Sequence, residues 1–323
     1  MKSSFHILIV ICLLTGCSAS KKGVNDSLNT FNIKSADQLK EFFSYSYDRI
    51  PFVSAHRGGS REFFPENCIA TFENTLSKVH AIIEVDPRYT KDSVIVLMHD
   101  PTLERTTNGS GRVIDHTWAE LQELRLKDPA GNITEYRIPT LDEALEWAKG
   151  KTILILDRKD VPASERIKKI VGHNAESNAI LIAYSMDEIK ECYDINKDIV
   201  MEVMLPDADQ VKKMDETGVP WRNVVGFVSH NLIVNNEIFD IIHGKGAMCI
   251  VGSSRNHDIE YKKGTITSFE ELAENYRKMI TYGADIIEAD LAIEAGLSLR
   301  EKNVINRKSS KQKLFIISTR RNK

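Results

Sequence analysis

The sequence predicts an α/β protein folded as a TIM (β/α)8 barrel, with a small insertion after the third strand run. Three observations point there. Short β-branched runs alternate with helix-length amphipathic stretches, the pattern of a parallel sheet. Such units repeat over roughly 250 residues, the usual size of this barrel. No Gly-rich phosphate-binding fingerprint follows an early strand, which counts against a doubly wound open sheet.

The strand runs, in order, are Phe52–Ala55, Ala81–Val85, Val94–Met98, Thr152–Leu156, Ala179–Ala183, Ile199–Leu205, Val224–Val228, Ala247–Val251 and Ala284–Ile287. That is nine runs, one more than the barrel needs. Val94–Met98 follows Ala81–Val85 with only DPRYTKDS between them, too short for a crossover helix, so one run is extra. Residues 101–137 are mostly polar and break the alternation, as an insertion would. Between the runs, TLDEALEWAKG and SFEELAENYRKMITYG read as helices. The second opens with Ser268 as N-cap, has Glu271 three residues on, and stops at Gly283.

The barrel is assigned to residues 48–299, and both flanks differ from it. Residues 1–16 carry Lys2 and an apolar run, Ile7–Leu14, too short to span a bilayer as a mature helix. Leu14-Thr15-Gly16-Cys17 then resembles the lipobox of bacterial lipoproteins, which predicts a cleaved signal and a lipidated Cys17. Ser18 after the Cys favours the outer membrane or periplasmic face of the envelope. Residues 17–47 read as a polar tether with a lead-in helix after Ala36. Residues 300–323 hold nine Lys/Arg and one acid, Glu301, and read as a solvated basic tail in preference to an anionic-lipid contact, with an apolar KLFIIS that either packs or is incidental. The formal net charge of −3 argues against a nucleic-acid partner. Cys68, Cys192 and Cys249 are widely spaced and odd in number, which predicts buried free thiols.

Functional residues of a parallel barrel gather at the C-terminal ends of its strands. Here four consecutive runs end in ionisable groups: His56-Arg57, Glu84-Val85-Asp86, His99-Asp100 and Asp157-Arg158-Lys159. Each alone has an ordinary structural explanation; Asp157 and Lys159, for instance, can simply form an ion pair. Together they form a coherent chemical set. Clustered Glu84, Asp86 and Asp157 repel one another unless a cation sits among them, and oxygen-only ligation suits one Ca²⁺ or Mg²⁺. Arg57 and Lys159 offer positive charge to a phosphate. His56 and His99 allow one ring to accept a proton while the other donates one. Metal, cations and an acid–base pair point to phosphodiester cleavage.

The motifs HRGGSREFFPEN, IIEVDPRYTKDSVIVLMHDPTLERTTNGSGRV, IPTLDEAL and LILDRKD resemble, in order and spacing, those of the glycerophosphodiester phosphodiesterases. The resemblance is strong from Val53 to Asp160 and weaker to Ile287. It implies that His56 and His99 are the acid–base pair, that Glu84 and Asp86 bind a divalent metal, and that Arg57 and Lys159 contact phosphate. It also implies in-line attack by a glycerol hydroxyl and protonation of the leaving alcohol. Asp157 stands where the family usually has Glu, so this third ligand is one methylene shorter. Cys68, Pro87 and Ser93 also depart from the family pattern, and AMCIVGSSRNHD lacks a Trp common in that region. Glu66 and Asn67 match a segment of mainly structural role, with Glu66 near the metal.

The expected substrate is therefore a small glycerophosphodiester, split to glycerol phosphate and an alcohol, with a membrane as partner through the lipid anchor. Two alternatives stand beside it. One is a related phospholipase or phosphodiester lyase on intact lipid, for which the insertion has little apolar surface. The other is a non-catalytic surface-binding lipoprotein, which loss of a His or a carboxylate would have favoured.

Overall fold

Eight of the nine apolar runs become the staves of a closed parallel barrel: β1 (Phe52–Ala55), β2 (Ala81–Val85), β3 (Leu154–Leu156), β4 (Ala179–Ala183), β5 (Met201–Met204), β6 (Val224–Ser229), β7 (Cys249–Gly252) and β8 (Ile286–Ala289). Each strand pairs with the next in the chain, and β8 closes on β1 with Glu288 opposite Ser54. The computed structural model describes residues 28–231, 236–300 and 315–317. The signal segment, Cys17, most of the tether and most of the basic tail lie outside these residues. No helix among the described residues is long and apolar enough to cross a membrane.

Both faces of a parallel barrel are covered, and the strands are accordingly apolar on both. Alternate residues face inward. Phe52, Ile82, Ile153, Ile155, Ile180, Val200, Val225, Phe227, Met248, Ile250 and Ile286 fill the interior. The N-terminal end of the barrel is plugged by aromatic rings. Helix Ala36–Phe42, capped by Ser35, brings Phe42 to 5.1 Å from Phe31 and from Phe52, centroid to centroid. Only the C-terminal end remains open.

Two expectations are corrected here. The third run is not a barrel strand. Ile95–Leu97 pairs antiparallel with Pro87–Tyr89, so the excursion from the barrel begins directly after Asp86. Eight residues cannot make a crossover, but they can make a hairpin. Part of the basic tail also packs. Ile316–Ile317 pairs antiparallel with Thr30–Phe31, and Phe315 is buried beside Phe42 at 6.0 Å. The apolar KLFIIS stretch gains more from covering that aromatic plug than from solvent.

Other expectations hold. Helix Phe269–Tyr282 is capped by Ser268 and ends at Gly283. Thr140 and Glu143 form a capping box at the start of helix Leu141–Ala148. Cys68, Cys192 and Cys249 are free and buried.

Candidate active site

The open end of the barrel is a cavity of about 670 Å³, and His56, Arg57, Glu84, His99, Asp157 and Lys159 all line it. His99 does not arrive from a barrel strand. It follows the second strand of the hairpin, which folds back over the mouth and returns it to the others. Arg88 fixes that return by donating to the His99 carbonyl at 3.0 and 2.7 Å.

The turn after β1 explains its two glycines. Arg57, Gly58 and Gly59 all have left-handed backbone, with φ of 51°, 89° and 78°. A Cβ on Gly58 would lie 2.4 Å from the buried Phe72 ring. This tight path aims the Arg57 N–H at Glu84 Oε2, 2.8 Å away. Lys159, at φ 41°, shows the same strained backbone. Strain of this kind persists where surrounding contacts over-determine it, as at functional sites.

Glu84, Asp86 and Asp157 come together as expected, with one oxygen of each within 4.8 Å of the others. All three are buried. Asn67 holds Asp86 in place, donating to its Oδ2 at 2.6 Å and accepting from its backbone N–H at 3.0 Å. Tyr184 donates to Asp157 Oδ1. Lys159 Nζ lies 2.9 Å from Asp86 and also pairs with Asp157, so the simple ion-pair reading of that motif holds as well. The donor set is all carboxylate and suits a hard divalent cation. A second grouping, His243, Cys249 and Asp285, lies at the opposite end of the barrel. There Asp285 already accepts from Arg49, from His243 at 2.9 Å and from the Cys249 N–H at 2.6 Å.

Each histidine is held by an aspartate. His56 Nδ1 lies 2.6 Å from Asp290 Oδ1, and His99 Nδ1 lies 2.7 Å from Asp100 Oδ1. Nε2 of both rings is then the nitrogen left for proton transfer. Asp290 is held in turn by Lys262 at 2.6 Å. Glu66 is tied into the other side. It pairs with Arg105 through both oxygens, at 2.7 and 2.8 Å, and Arg105 continues to Asp100.

The model of the glycerophosphoryl diester phosphodiesterase family matches residues 56–220, just over half of the chain and all of the proposed metal and histidine positions. The chain belongs to this family. A crystal structure of a glycerophosphoryl diester phosphodiesterase from Parabacteroides distasonis ATCC 8503 is 42% identical. It covers 90% of this chain and 100% of its own, with a TM-score of 0.85. A glycerophosphodiester phosphodiesterase of Caldanaerobacter subterraneus is 37% identical over 150 residues, 43% of this chain and 61% of its own length. The Bacillus subtilis protein YhdW is 40% identical over 122 residues, and the match spans 50% of its length. At 19% identity and a TM-score of 0.58, an Oleispira antarctica phosphodiesterase in complex with the product sn-glycerol-3-phosphate shares the fold.

Electrostatics separates the two histidines of this family member. Burial disfavours the charged His56 ring, but Asp290 and Glu288 outweigh it and raise the ring above its ordinary value. Burial dominates at His99 and lowers it, despite Asp86 and Asp100. Burial and the neighbouring Asp86 and Asp157 push the Glu84 carboxyl well up. Asp86 is lowered: burial opposes its charge, but Lys159, His99 and Arg57 prevail.

Sequence reasoning missed Asp290, Glu288, Glu202 and Tyr184, all of which line the cavity. A signal was present. Glu84-Val85-Asp86 at the end of β2 recurs as Glu288-Ala289-Asp290 at the end of β8, and Tyr184 directly follows β4. Applying the strand-end rule to β4 and β8 would have found Tyr184, Glu288 and Asp290, but not Glu202, which lies within β5.

Proposed function

We propose that this chain hydrolyses glycerophosphodiesters to glycerol phosphate and an alcohol, with one Ca²⁺ or Mg²⁺ held by Glu84, Asp86 and Asp157. The observation that carries the proposal is the meeting of two aspartate-held imidazoles and a three-carboxylate cluster in one cavity. A divalent cation in that cluster supplies positive charge to a substrate hydroxyl and to the phosphoryl oxygens. Arg57 and Lys159 bind and orient the phosphate. His99, lowered by burial, is suited to accept the proton of the attacking hydroxyl at Nε2. His56, raised by Asp290, is suited to donate one to the leaving oxygen. Asp100 and Asp290 fix the tautomer and orientation of each ring. The names of relatives, and the glycerol phosphate bound to the Oleispira enzyme, support this reading of the substrate. Attachment to the bacterial envelope through a lipidated Cys17 completes it.

Product analysis over a panel of glycerophosphodiesters, with Ca²⁺, Mg²⁺ or chelator, tests the reading. Release of glycerol phosphate in a metal-dependent manner is expected. Cleavage of intact phospholipid with none of the soluble diesters would overturn the substrate class. Absence of any turnover would leave a binding protein.

A further inference from the structure

Beyond the metal and phosphate machinery, the far wall of the cavity carries polar groups that hold neither the metal nor the phosphate in the reading above. Glu202 on β5 and Glu288 on β8 point inward at the top of the barrel, each about 95% or more buried, and both line the cavity. Glu202 Oε2 is buried and accepts no hydrogen bond. His230, just after β6, lines the same cavity, and its Nδ1 is likewise buried without a partner. Space for that ring exists because position 252 is glycine: a Cβ there would meet His230 Nδ1 at 2.7 Å. Buried polar atoms are nearly always hydrogen-bonded, so unsatisfied ones in two side chains that line one cavity point to a polar ligand there. Leaving a carboxyl oxygen there without any partner costs stability, and such a cost is kept where the site needs the group.

We propose that Glu202, Glu288 and His230 form a subsite for a polyhydroxylated leaving alcohol and so determine which diester is accepted; this rests on the phosphodiesterase reading above. Hydroxyls both donate and accept. Carboxyl oxygens and a neutral imidazole offer the matching acceptors and donor. Burial, then Arg255 and His56, lower His230 to about 4, which keeps the ring neutral at ordinary pH. The competing ligand is an alcohol with a fixed ammonium charge. The carboxyls would attract it and Arg255 on the same wall would repel it, whereas a neutral polyol uses the hydrogen-bonding groups themselves. Phe227, Tyr184 and Met204 supply apolar faces around the polar groups, the usual composition of a small-molecule pocket.

The test compares kcat/KM for glycerophosphoinositol and glycerophosphoglycerol with that for glycerophosphocholine, using the full-length protein. The wild type is expected to favour the polyol diesters. In Glu202→Leu the polyol-to-choline ratio should fall about tenfold or more, the scale of losing hydrogen bonds to a buried carboxylate. Glu288→Gln provides a second, shape-conserving variant if the first does not fold. Titration calorimetry with myo-inositol reads the subsite without turnover, and its heat should be lost in Glu202→Leu. A wild-type preference for the choline diester, or unchanged ratios and inositol binding in folded variants, overturns the subsite. Inositol binding that depends on Glu202 with no hydrolysis of any diester sinks the phosphodiesterase reading instead.

Discussion

At the scale of single residues, the two histidines differ in what surrounds them, and that difference is measurable. His56 and His99 share a cavity, each with Nδ1 held by an aspartate, yet one ring is raised and the other lowered. His56→Ala and His99→Ala should each reduce kcat by about 10²–10⁴-fold, with little change in thermal stability. A nitrophenolate leaving group, which needs little protonation, should restore much of the rate to His56→Ala and none to His99→Ala. Rescue of the opposite variant would reverse the assignment. Near-normal turnover with lost stability in both would remove it. His230 yields a prediction about stability. Its ring is lowered to about 4 in the fold against an ordinary 6.5, so between those values the unfolded chain binds the extra proton. The contribution is complete above pH 6.5 and is lost as pH falls toward 4. For a half-buried, solvent-screened ring it is on the order of 1 kcal/mol. Urea denaturation across this range should show a steeper loss in wild type than in His230→Phe.

At the scale of elements, the hairpin is the feature whose type the sequence hid. Ile95–Leu97 has the composition of a barrel strand, and the short DPRYTKDS link excluded a crossover without showing that its own first residues are the antiparallel partner. Composition fixes that a segment is extended and buried; pairing is decided by what else is near in space. The final effect on the site was nil, because the hairpin brings His99 back to the mouth. The turn after β1 is the opposite case. Its glycines are legible as a turn, but the reason for them is Phe72, which packs from the following helix against Gly58. Gly58→Ala should therefore cost roughly 2–5 kcal/mol, combining a left-handed backbone penalty with overpacking. A change under 1 kcal/mol in denaturant unfolding would mean that the turn relaxes freely.

At the scale of the whole molecule, the barrel tolerates a layer of buried carboxylates at its open end because function and stability pull apart there. Glu84 is buried and repelled by Asp86 and Asp157. In chelator, Glu84→Gln should melt at or above the wild-type temperature. Added Ca²⁺ or Mg²⁺ should raise the melting temperature of the wild type and leave that of the variant nearly unchanged. At a hundredfold excess over Kd, the wild-type gain is about 2.7 kcal/mol. Equal metal responses would place the cation elsewhere. Lipidation belongs to this scale too. The native protein should partition into a detergent phase and carry acyl chains on Cys17, and Cys17→Ser should abolish both. An unmodified native N-terminus downstream of Cys17 would end the lipoprotein reading.

The barrel, its direction and the first half of the site were written in the sequence. Alternating runs and helices set a parallel topology, and residues two apart at strand ends had to share the inner face, as Glu84 does with Asp86 and Ile155 with Asp157. Lys159 reaches the site from a left-handed turn beyond the strand. These are local periodicities, which a chain carries in its own order. What only the tertiary structure decided was pairing at a distance. His56 finds Asp290 across 234 residues, Glu202 and Glu288 meet the same cavity from β5 and β8, and Phe315 closes over Phe42 at the far end. Those contacts follow from closure of the sheet, which sets neighbours by position around the barrel and not by separation along the chain.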